Sequence, residues 1–408
     1  LETSGQPIRL LAQAESEQGA LLAAAVGPRE IALVTFRKKK AMVGEGKVEQ
    51  IVRRFPLVMK GEITALVLDT RGDDLFVGTS EGNLQRVDLR DPDAPKPALP
   101  LAASSRADTA ITMLGFLLGD RTLVVGDAAG GVGTWQMLRS NEGEYYLVKV
   151  NAFPSHEAAV TCFSPSQRDK GFVTADARGG VHLSYGTTGQ TLIDLRPAEA
   201  GESRAVALTP RTNGILWMNS SGRLAQWSLK NPHPEVTWKS LFGKVWYEGY
   251  AQPEHVWQST GGTDDFEAKF GLTPLIYGTL KGTFYALLVA IPLALLAALY
   301  VSQFMHPALK GTIKPAIEVM AALPSVVLGF LAGLWLAPRV EKVVPGLFLL
   351  PVVLVPAILI SLAIWRALPL KIRQRFHFGS EALLLVPVVL LGAAVAFGLG
   401  GLLEHAFL

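Results

Sequence analysis

Cysteine is almost absent from this chain of 408 residues, which contains only Cys162. A single thiol excludes an intramolecular disulfide and a metal site built from several cysteines. We interpret Cys162 as a small apolar core residue. The seven histidines are scattered and form no His-x-x-x-His pair and no cluster with acids. We therefore expect no metal and no other cofactor in this chain.

An excess of charge of one sign is also missing, since the formal net charge is only +3. No basic face suggests nucleic acid as a partner. The basic run Arg37-Lys-Lys-Lys40 is typical of a solvated strand end or hairpin, and a partner-binding patch is the alternative.

Motifs for nucleotide chemistry are lacking. Gly44-Glu-Gly-Lys47 resembles part of a phosphate-binding loop, but that motif needs glycine at position 41 and serine or threonine at position 48. The chain has Ala41 and Val48 there. No dinucleotide-binding fingerprint follows a strand, and we expect no enzyme active site.

Apolar runs, by contrast, dominate the last third of the chain. From Gly271 onward there are only nine Lys/Arg and four Asp/Glu. A bilayer core of roughly 30 Å takes about 20 helical residues. Four segments are long enough, and we predict transmembrane helices at about residues 274–301, 313–337, 346–365 and 382–403.

The charges between these segments predict their orientation. Arg366, Lys371, Arg373 and Arg375 make the connection between the third and fourth segments the best cytoplasmic candidate. The connection between the first two segments carries lysines without acids and is also predicted to be cytoplasmic. Everything before Pro274 is then predicted to lie outside the cytoplasm, which in a bacterium is the periplasm.

Aromatic residues cluster just before the first apolar segment, at Trp238, Trp246, Tyr247, Tyr250 and Trp257. Amphipathic aromatics are favoured at the headgroup level. We predict that residues 238–273 are an aromatic interfacial linker. The alternative is a packed last strand with an ordinary linker.

The second apolar segment contains an acid and a proline, Glu318 and Pro324. Ionisable groups in spanning helices usually face a bundle interior or a water-filled path, and proline bends a helix. Glu318, Pro324, Ser325 and Gly329 are therefore our candidates for the translocation path or the helix bend. Gly329 and Gly333 also form a small-xxx-small pair, which lets helices approach closely.

The part before the membrane segments contains a repeat. Each unit has an opening apolar strand, a second apolar strand, a turn with glycine and a further strand. The turn glycines are Gly82, Gly130, Gly179 and Gly222, which lie 48, 49 and 43 residues apart. This period is typical of β-propeller blades. An earlier unit, Glu30 to Phe36 with Gly46, fits more loosely, and we count about five units.

These repeats resemble WD40 blades from about Gly19 to Leu229, although the usual Trp-Asp ending is missing. His156 stands at the position of the family's Gly-His pair. The predicted fold is an all-β, propeller-like (WD40-like) soluble domain at residues 1–237, followed by an α-helical transmembrane bundle at residues 274–408. A propeller serves as a platform for partners or as a passive structural cap, and the sequence leaves both open.

Three lines carry a second resemblance: Leu275-Ile-Tyr-Gly-Thr-Leu280, Ala290-Ile-Pro-Leu293 and Ile317-Glu-Val-Met-Ala-Ala-Leu-Pro-Ser-Val-Val-Leu-Gly329. They resemble a permease subunit of a bacterial phosphate ABC importer of the PstC type. The resemblance implies a type I ABC importer permease fold, here with a propeller-like domain inserted in a periplasmic segment. It also implies a second permease subunit, cytoplasmic ATPase subunits and a periplasmic phosphate-binding protein as partners.

The chain departs from the family after Pro338, where a pair of apolar segments looks additional. The chain starts at Leu1 without methionine and stops at Leu408 after an apolar run, so we expect a fragment. The family's first span would precede Leu1, and its ATPase-docking loop would follow Leu408.

The leading hypothesis is a permease subunit of an ATP-driven phosphate importer in the bacterial inner membrane, forming half of the translocation path. Glu318 would line that path, pair with a basic group, or cap the cytoplasmic end of its helix; a carboxylate would repel phosphate. The first alternative is a membrane-tethered propeller scaffold or sensor without transport. A membrane-bound propeller dehydrogenase is the second, but its cofactor-contacting tryptophan motifs are missing.

Overall fold

The computed structural model describes residues 6–16, 19–38, 48–140, 143, 145–198, 201–263, 266–341, 343–367 and 381–407. The chain divides into two compact units, Leu1–Leu287 and Leu288–Leu408. The division falls inside the first long helix, and each unit is described by itself.

In its described residues, the first unit has five antiparallel sheets of three to five strands, each formed by strands that are consecutive in the chain, and one short hairpin described below. The strands are β1 (Ile8–Ser16), β2 (Gly19–Val26), β3 (Glu30–Lys38) and β4 (Val48–Pro56) in the first sheet; β5 (Ile63–Leu68), β6 (Asp74–Thr79), β7 (Asn83–Asp88), β8 (Lys96–Pro97) and β9 (Leu101–Ala102) in the second; β10 (Ile111–Phe116), β11 (Thr122–Asp127), β12 (Val132–Arg139) and β13 (Tyr145–Phe153) in the third; β14 (Val160–Pro165), β15 (Gly171–Asp176), β16 (Val181–Tyr185) and β17 (Gln190–Leu195) in the fourth; and β18 (Ser203–Leu208), β19 (Gly214–Asn219) and β20 (Leu224–Ser228) in the fifth.

The opening strands of successive sheets contact one another in the order β1, β5, β10, β14 and β18. Each sheet therefore packs its face on the next, as the blades of a propeller do. The second strands β6, β11 and β15 are buried along their whole length because a neighbouring sheet covers each of their faces. The prediction of propeller-like repeats followed by apolar helices is confirmed. We call the five sheets, in chain order, blades 1 to 5.

The turns between the second and third strands are the predicted glycine turns. Gly82, Gly130, Gly179 and Gly222 have φ values of 78°, 86°, 92° and 78°. This left-handed region is open to glycine without a clash of a side chain.

Blade 1 differs from our prediction. Glu30 to Phe36 was expected to open a unit, but it lies in β3, the third strand of its blade. Its turn glycine is Gly27, with a φ of 63°, whereas Gly46 lies outside the described residues. The strand before that turn, β2, is rich in alanine, a weak strand former, so composition conceals it.

Blade 5 consists of three strands in the part of the chain that the structure describes. Its last strand β20 is largely exposed, and Leu224 at its start is 76% exposed.

Residues 238–263 and 266–273 are folded rather than extended. They contain the short helix α1 (Trp238–Phe242), a bridge between Val245 and Glu254, and a hairpin of β21 (Trp257–Gln258) with β22 (Lys269–Phe270). Tyr247 is only 4% exposed. The predicted interfacial linker is therefore partly an extension of the propeller-like unit, because some of its aromatics are buried in protein.

The helices are α2 (Thr273–Leu299), which continues as a π-helical turn Tyr300–Phe304, then α3 (Pro307–Ala322), α4 (Ser325–Phe330), a π-helical turn Leu331–Leu336, α5 (Ala337–Glu341), α6 (Val344–Ala367) and α7 (Glu381–Phe407). Among the residues that the structure describes, three helical stretches are long and apolar enough to cross a membrane: Thr273–Phe304, Val344–Ala367 and Leu385–Leu402.

The predicted second span, residues 313–337, is not one straight helix. The stretches Leu309–Ala322 and Ser325–Glu341 form a pair bent by 93°. Of the predicted cytoplasmic charges between α6 and α7, Arg366 ends α6, and Lys371, Arg373 and Arg375 lie outside the described residues.

Helices α6 and α7 pack against each other through glycine. A Cβ on Gly400 would lie 2.3 Å from the backbone nitrogen of Gly346, and one on Gly346 would lie 2.5 Å from the Phe397 ring. The two backbones approach closely because neither glycine has a side chain.

Candidate functional site

The break between α3 and α4 lies at Leu323 and Pro324. Proline has no backbone N–H, and its ring would clash with the carbonyl four residues earlier. It also drives the preceding residue away from helical dihedrals. The last turn of α3 tightens, with the Leu323 N–H donating to the Met320 carbonyl at 3.3 Å. Pro324 itself has a ψ of 125°, outside the helical range.

The four candidate residues lie on both sides of this break. Glu318 lies on α3, about one turn before that helix ends at Ala322. Ser325 is the first residue of α4, and Gly329 lies in its second turn. The side chains of Glu318 and Ser325 are exposed in the second unit. The structure therefore places Pro324 and Ser325 at an interruption of an apolar helix pair, with Glu318 about one turn before it.

A charged stripe runs along α3 toward the break. Lys310, Lys314 and Glu318 follow one another at intervals of four residues, which places them on one face of the helix. Helices α2, α6 and α7 carry no comparable stripe within their described residues: their charges are Lys281 in α2 and residues near the helix ends. The break and the stripe together form a polar line on an otherwise apolar surface.

The predicted close approach at Gly329 and Gly333 is not seen among the described residues, since a Cβ on either would meet nothing within 4 Å. Among the described residues, glycines that touch another helix are Gly346, Gly392 and Gly400 instead. Spacing alone does not separate the two cases, because small-xxx-small pairs are frequent in apolar helices.

A second group of polar residues lies where residues 238–273 meet the blades, and sequence reasoning missed it. The Lys170 ammonium is buried and donates to the Leu118 carbonyl at 2.5 Å and to Glu248 Oε2 at 2.6 Å. The other carboxylate oxygen of Glu248 accepts a hydrogen bond from Thr122 Oγ1 at 2.6 Å. We call Lys170, Glu248 and Thr122 the anchor cluster. It joins the folded linker to blades 3 and 4.

Glu267 lies beside the anchor cluster and accepts a hydrogen bond from the Thr187 hydroxyl. Burial, reinforced by the negative charge of Glu248, raises the pKa of Glu267 to about 7. Burial also lowers the pKa of Lys269, whose ammonium lies 4.7 Å from the centre of the Phe266 ring. No motif signals these contacts, because the partners are far apart in the chain.

His156 is a structural residue of blade 4. Its Nε2 lies 2.8 Å from Thr174 Oγ1 and its Nδ1 lies 3.3 Å from Asp176 Oδ2. Burial and the stacked His182 ring lower the pKa of His156 to about 4. The neutral imidazole thus ties the blade's entry loop to its second strand. Within the described part of the chain, no group of three or more His, Cys, Asp or Glu residues is placed to hold a metal.

Two further residues with potential chemistry have structural surroundings. Gly78-Thr-Ser-Glu-Gly82 has the spacing of a nucleophile elbow, but Ser80 lies in the β6–β7 turn, where its hydroxyl accepts from the Glu62 N–H at 3.0 Å. A nucleophile elbow needs a strand-to-helix turn. Cys162 is half-buried beside blade 5, and burial raises the pKa of its thiol.

Comparisons with known proteins concern parts of the chain. No protein-family profile matches it. The probable ABC transporter permease protein YqgH of Bacillus subtilis is 30% identical over 162 residues, covering 33% of this chain and 51% of that protein. The phosphate transport system permease protein PstC of Mesorhizobium japonicum is 32% identical over 81 residues, covering 20% of this chain and 25% of that protein.

The chain thus spans about half, or less, of the length of these curated relatives. It is partly similar to ABC transporter permeases. This similarity and the long apolar helices indicate a membrane protein.

Among solved structures, the β-propeller domain of Cps50 (Swd1) from Myceliophteria thermophila aligns with a TM-score of 0.39 at 17% identity, over 52% of this chain and 67% of that one. A chain of the mitotic checkpoint complex aligns with a TM-score of 0.40 at 16% identity, over 55% of this chain and 64% of that one. At these scores the likeness adds nothing to the sheet topology described above.

Proposed function

We propose that this chain is the permease subunit of an ATP-driven importer and forms half of its translocation path. The observation that carries the proposal is the break at Pro324 within an apolar helix pair bent by 93°. The ends of α3 and α4 leave backbone carbonyl and N–H groups without partners inside their own helices. At membrane depth such groups are tolerated only where they are buried in protein or line a water-filled cavity.

The charged stripe on α3 supports the same proposal. An intramembrane glutamate such as Glu318 is costly and typically faces a bundle interior or a pathway, whereas Lys310 and Lys314 lie toward the predicted cytoplasmic end of the segment. Discontinuous helices with polar surroundings are characteristic of transporter binding sites. A simple membrane anchor requires neither feature.

Within this proposal the candidate residues have different roles. Pro324 sets the bend, Ser325 begins the helix after it, and Gly329 leaves room for a neighbouring helix of a partner subunit. Glu318 lines the path or pairs with a basic group of a neighbouring helix. It is not a phosphate ligand, because a carboxylate repels the anion.

We propose phosphate as the transported solute, on the basis of the helix motif that resembles PstC-type permeases. A second permease subunit would complete the path, a periplasmic phosphate-binding protein would deliver the solute, and cytoplasmic ATPase subunits would hydrolyse ATP. This chain would itself not be an enzyme. The propeller-like unit would lie on the periplasmic side of the inner membrane and dock or regulate the binding protein.

The test is uptake of radiolabelled phosphate by a strain that carries the full-length gene and from which the other known high-affinity phosphate importers have been deleted. We expect Pro324→Ala to lower the uptake rate about tenfold or more, because straightening the helix pair removes the polar break. Pro292→Ala is the matched control: Pro292 lies inside the continuous helix α2, and we expect its uptake rate to stay within about twofold of wild type.

Equal uptake by both variants, with normal amounts of protein in the membrane, would contradict the role of the break. Competition by unlabelled sulfate as effective as that by unlabelled phosphate would contradict the proposed solute. Unchanged phosphate uptake after deletion of the gene would favour the second candidate, a membrane-tethered propeller scaffold or sensor. The anchor cluster favours that candidate, since it holds the blades firmly to the segment that leads into α2.

A further inference from the structure

Helix α1 ends against the first residues of α2. The Leu272 N–H donates to the Leu241 carbonyl at 2.7 Å, and the Thr273 hydroxyl donates to the Phe242 carbonyl at 3.1 Å. Both contacts lie within the first unit of the structure. Wherever α2 enters the bilayer, α1 therefore lies beside its point of entry.

The aromatic cluster of residues 238–257 is divided into an inward and an outward set. Tyr247 is buried, and the Trp246 indole N–H donates to the Tyr250 carbonyl at 2.8 Å. Trp238, by contrast, is 81% exposed, Phe242 is 46% exposed and Trp257 is 41% exposed. The inward set holds the segment to the protein and leaves the outward set free for another partner.

Two rings of the outward set form an ordered pair. The rings of Trp238 and Phe242 stack with centroids 5.8 Å apart and planes 14° apart. Helix α1 begins with a capping box between Thr237 and Ser240, which defines its start. Large apolar rings that are exposed side by side indicate a surface that lipid or another molecule covers.

Buried residues and the anchor cluster hold the segment that carries this surface against the blades. Val245 and Tyr247 are buried, and Glu248 belongs to the anchor cluster. The α1 surface is consequently held at one height relative to the start of α2.

The position of the α1 surface along the membrane normal corresponds to the layer of lipid headgroups. Lys281 lies eight residues into α2, about 12 Å along the axis from Thr273. A lysine inside a spanning helix extends its ammonium along the helix toward the interface, so the hydrocarbon core begins between the start of α2 and Lys281. The headgroup layers add about 5 to 8 Å on each side of the core, and tryptophan is enriched there.

We propose that Trp238, Phe242 and Trp257 form a membrane-docking surface that inserts into the phospholipid headgroup layer around α2. The proposal rests on α2 crossing the bilayer and is independent of transport. Aromatic insertion rather than charge provides the attraction, because the exposed Lys239 and Lys244 are accompanied by the exposed Glu254. The surface would hold the propeller-like unit at a defined distance from the membrane.

The test places a nitroxide at Trp238→Cys in the Cys162→Ala background, with the full chain in phospholipid nanodiscs. Electron paramagnetic resonance then compares collisions with oxygen, which concentrates in lipid, and with a water-soluble nickel complex. Leu99→Cys is the matched control, because Leu99 is 91% exposed on the blades far along the chain from α1. Trp257→Cys provides a second, independent position on the surface.

We expect the ratio of oxygen to nickel collisions at positions 238 and 257 to exceed that at position 99 at least threefold and to be unchanged in 1 M salt. Three results would overturn the proposal. The first is a collision ratio at positions 238 and 257 like that at position 99. The second is shielding from both reagents, which would indicate a protein partner. The third is loss of the effect in high salt, which would indicate electrostatic attachment. Wild-type amide exchange in the blades would show that each variant is folded.

Discussion

Two turn glycines with the same local conformation differ in the space around them. Gly130 and Gly222 occupy the same turn in different blades, with φ values of 86° and 78°. A Cβ on Gly130 would lie 2.3 Å from the His156 carbonyl oxygen, whereas a Cβ on Gly222 would meet nothing within 4 Å. The repeat therefore requires glycine for conformation at both places, and for space at only one.

We predict that Gly130→Ala destabilises its blade by about 3 kcal/mol or more and Gly222→Ala by about 1 kcal/mol. The left-handed conformation costs both variants about the same, and the backbone clash adds to the cost only at Gly130. Hydrogen exchange of the β11–β12 and β19–β20 hairpins in the full chain measures both values. Equal losses would show that the His156 loop moves away at little cost.

The carboxyl group of Glu267 gives the first unit a pH dependence. Its pKa is raised to about 7, chiefly by burial, above the ordinary value of about 4.5. The folded state thus binds the proton more tightly than the unfolded state. This stabilisation is complete below about pH 4.5 and is lost as the pH rises through 7.

We predict that Glu267→Gln stabilises the first unit at pH 8 relative to wild type by about 2 kcal/mol, and that the difference vanishes at pH 5. The amide replaces the protonated carboxyl at every pH. The difference between wild type and variant isolates this group, because His156 adds the same dependence to both. Exchange protection of β15, β16 and β22 is the measurement. A pH-independent difference would mean that Glu267 does not titrate in this range.

At the scale of elements, the link between the folded linker and the blades rests on buried charge. Lys170 and Glu248 have side chains that are 2% and 12% exposed. Removing one partner of such a pair leaves an uncompensated buried charge, which is far more costly than losing an exposed pair. The link is therefore specific: it holds residues 238–273 in one position on blades 3 and 4.

We predict that Lys170→Met lowers the free energy needed to open the linker by about 3 kcal/mol. Adding Glu248→Gln should recover much of this loss, because it removes the carboxylate charge that Lys170→Met leaves unpaired. Arg196→Ala is the control, since Arg196 pairs with Glu157 at 60% and 55% exposure and should change little. Amide exchange of residues 238–258 reports the opening. If Lys170→Met behaved like Arg196→Ala, the anchor cluster would not hold the linker.

At the scale of the whole molecule, the chain combines a propeller-like unit with a set of apolar helices. The repeat period and the strand positions in blades 2 to 5 follow from sequence, because apolar strands and turn glycines recur at nearly equal intervals. A unit was also predicted at blade 1, but its strand order was wrong because the alanine-rich strand β2 is poor in strand-forming residues. The apolar segments were equally predictable, since their length and lack of charge depend on composition alone.

The sequence by itself determined which segments are strands, turns or apolar helices, and that a proline stands inside one of them, because these properties depend on residues close together in the chain. Only the tertiary structure decided that Lys170 meets Glu248, that Tyr247 faces inward while Trp238 faces outward, and that Gly346 rather than Gly329 touches another helix. Such contacts depend on the packing of residues far apart in the chain, and no local pattern encodes that packing.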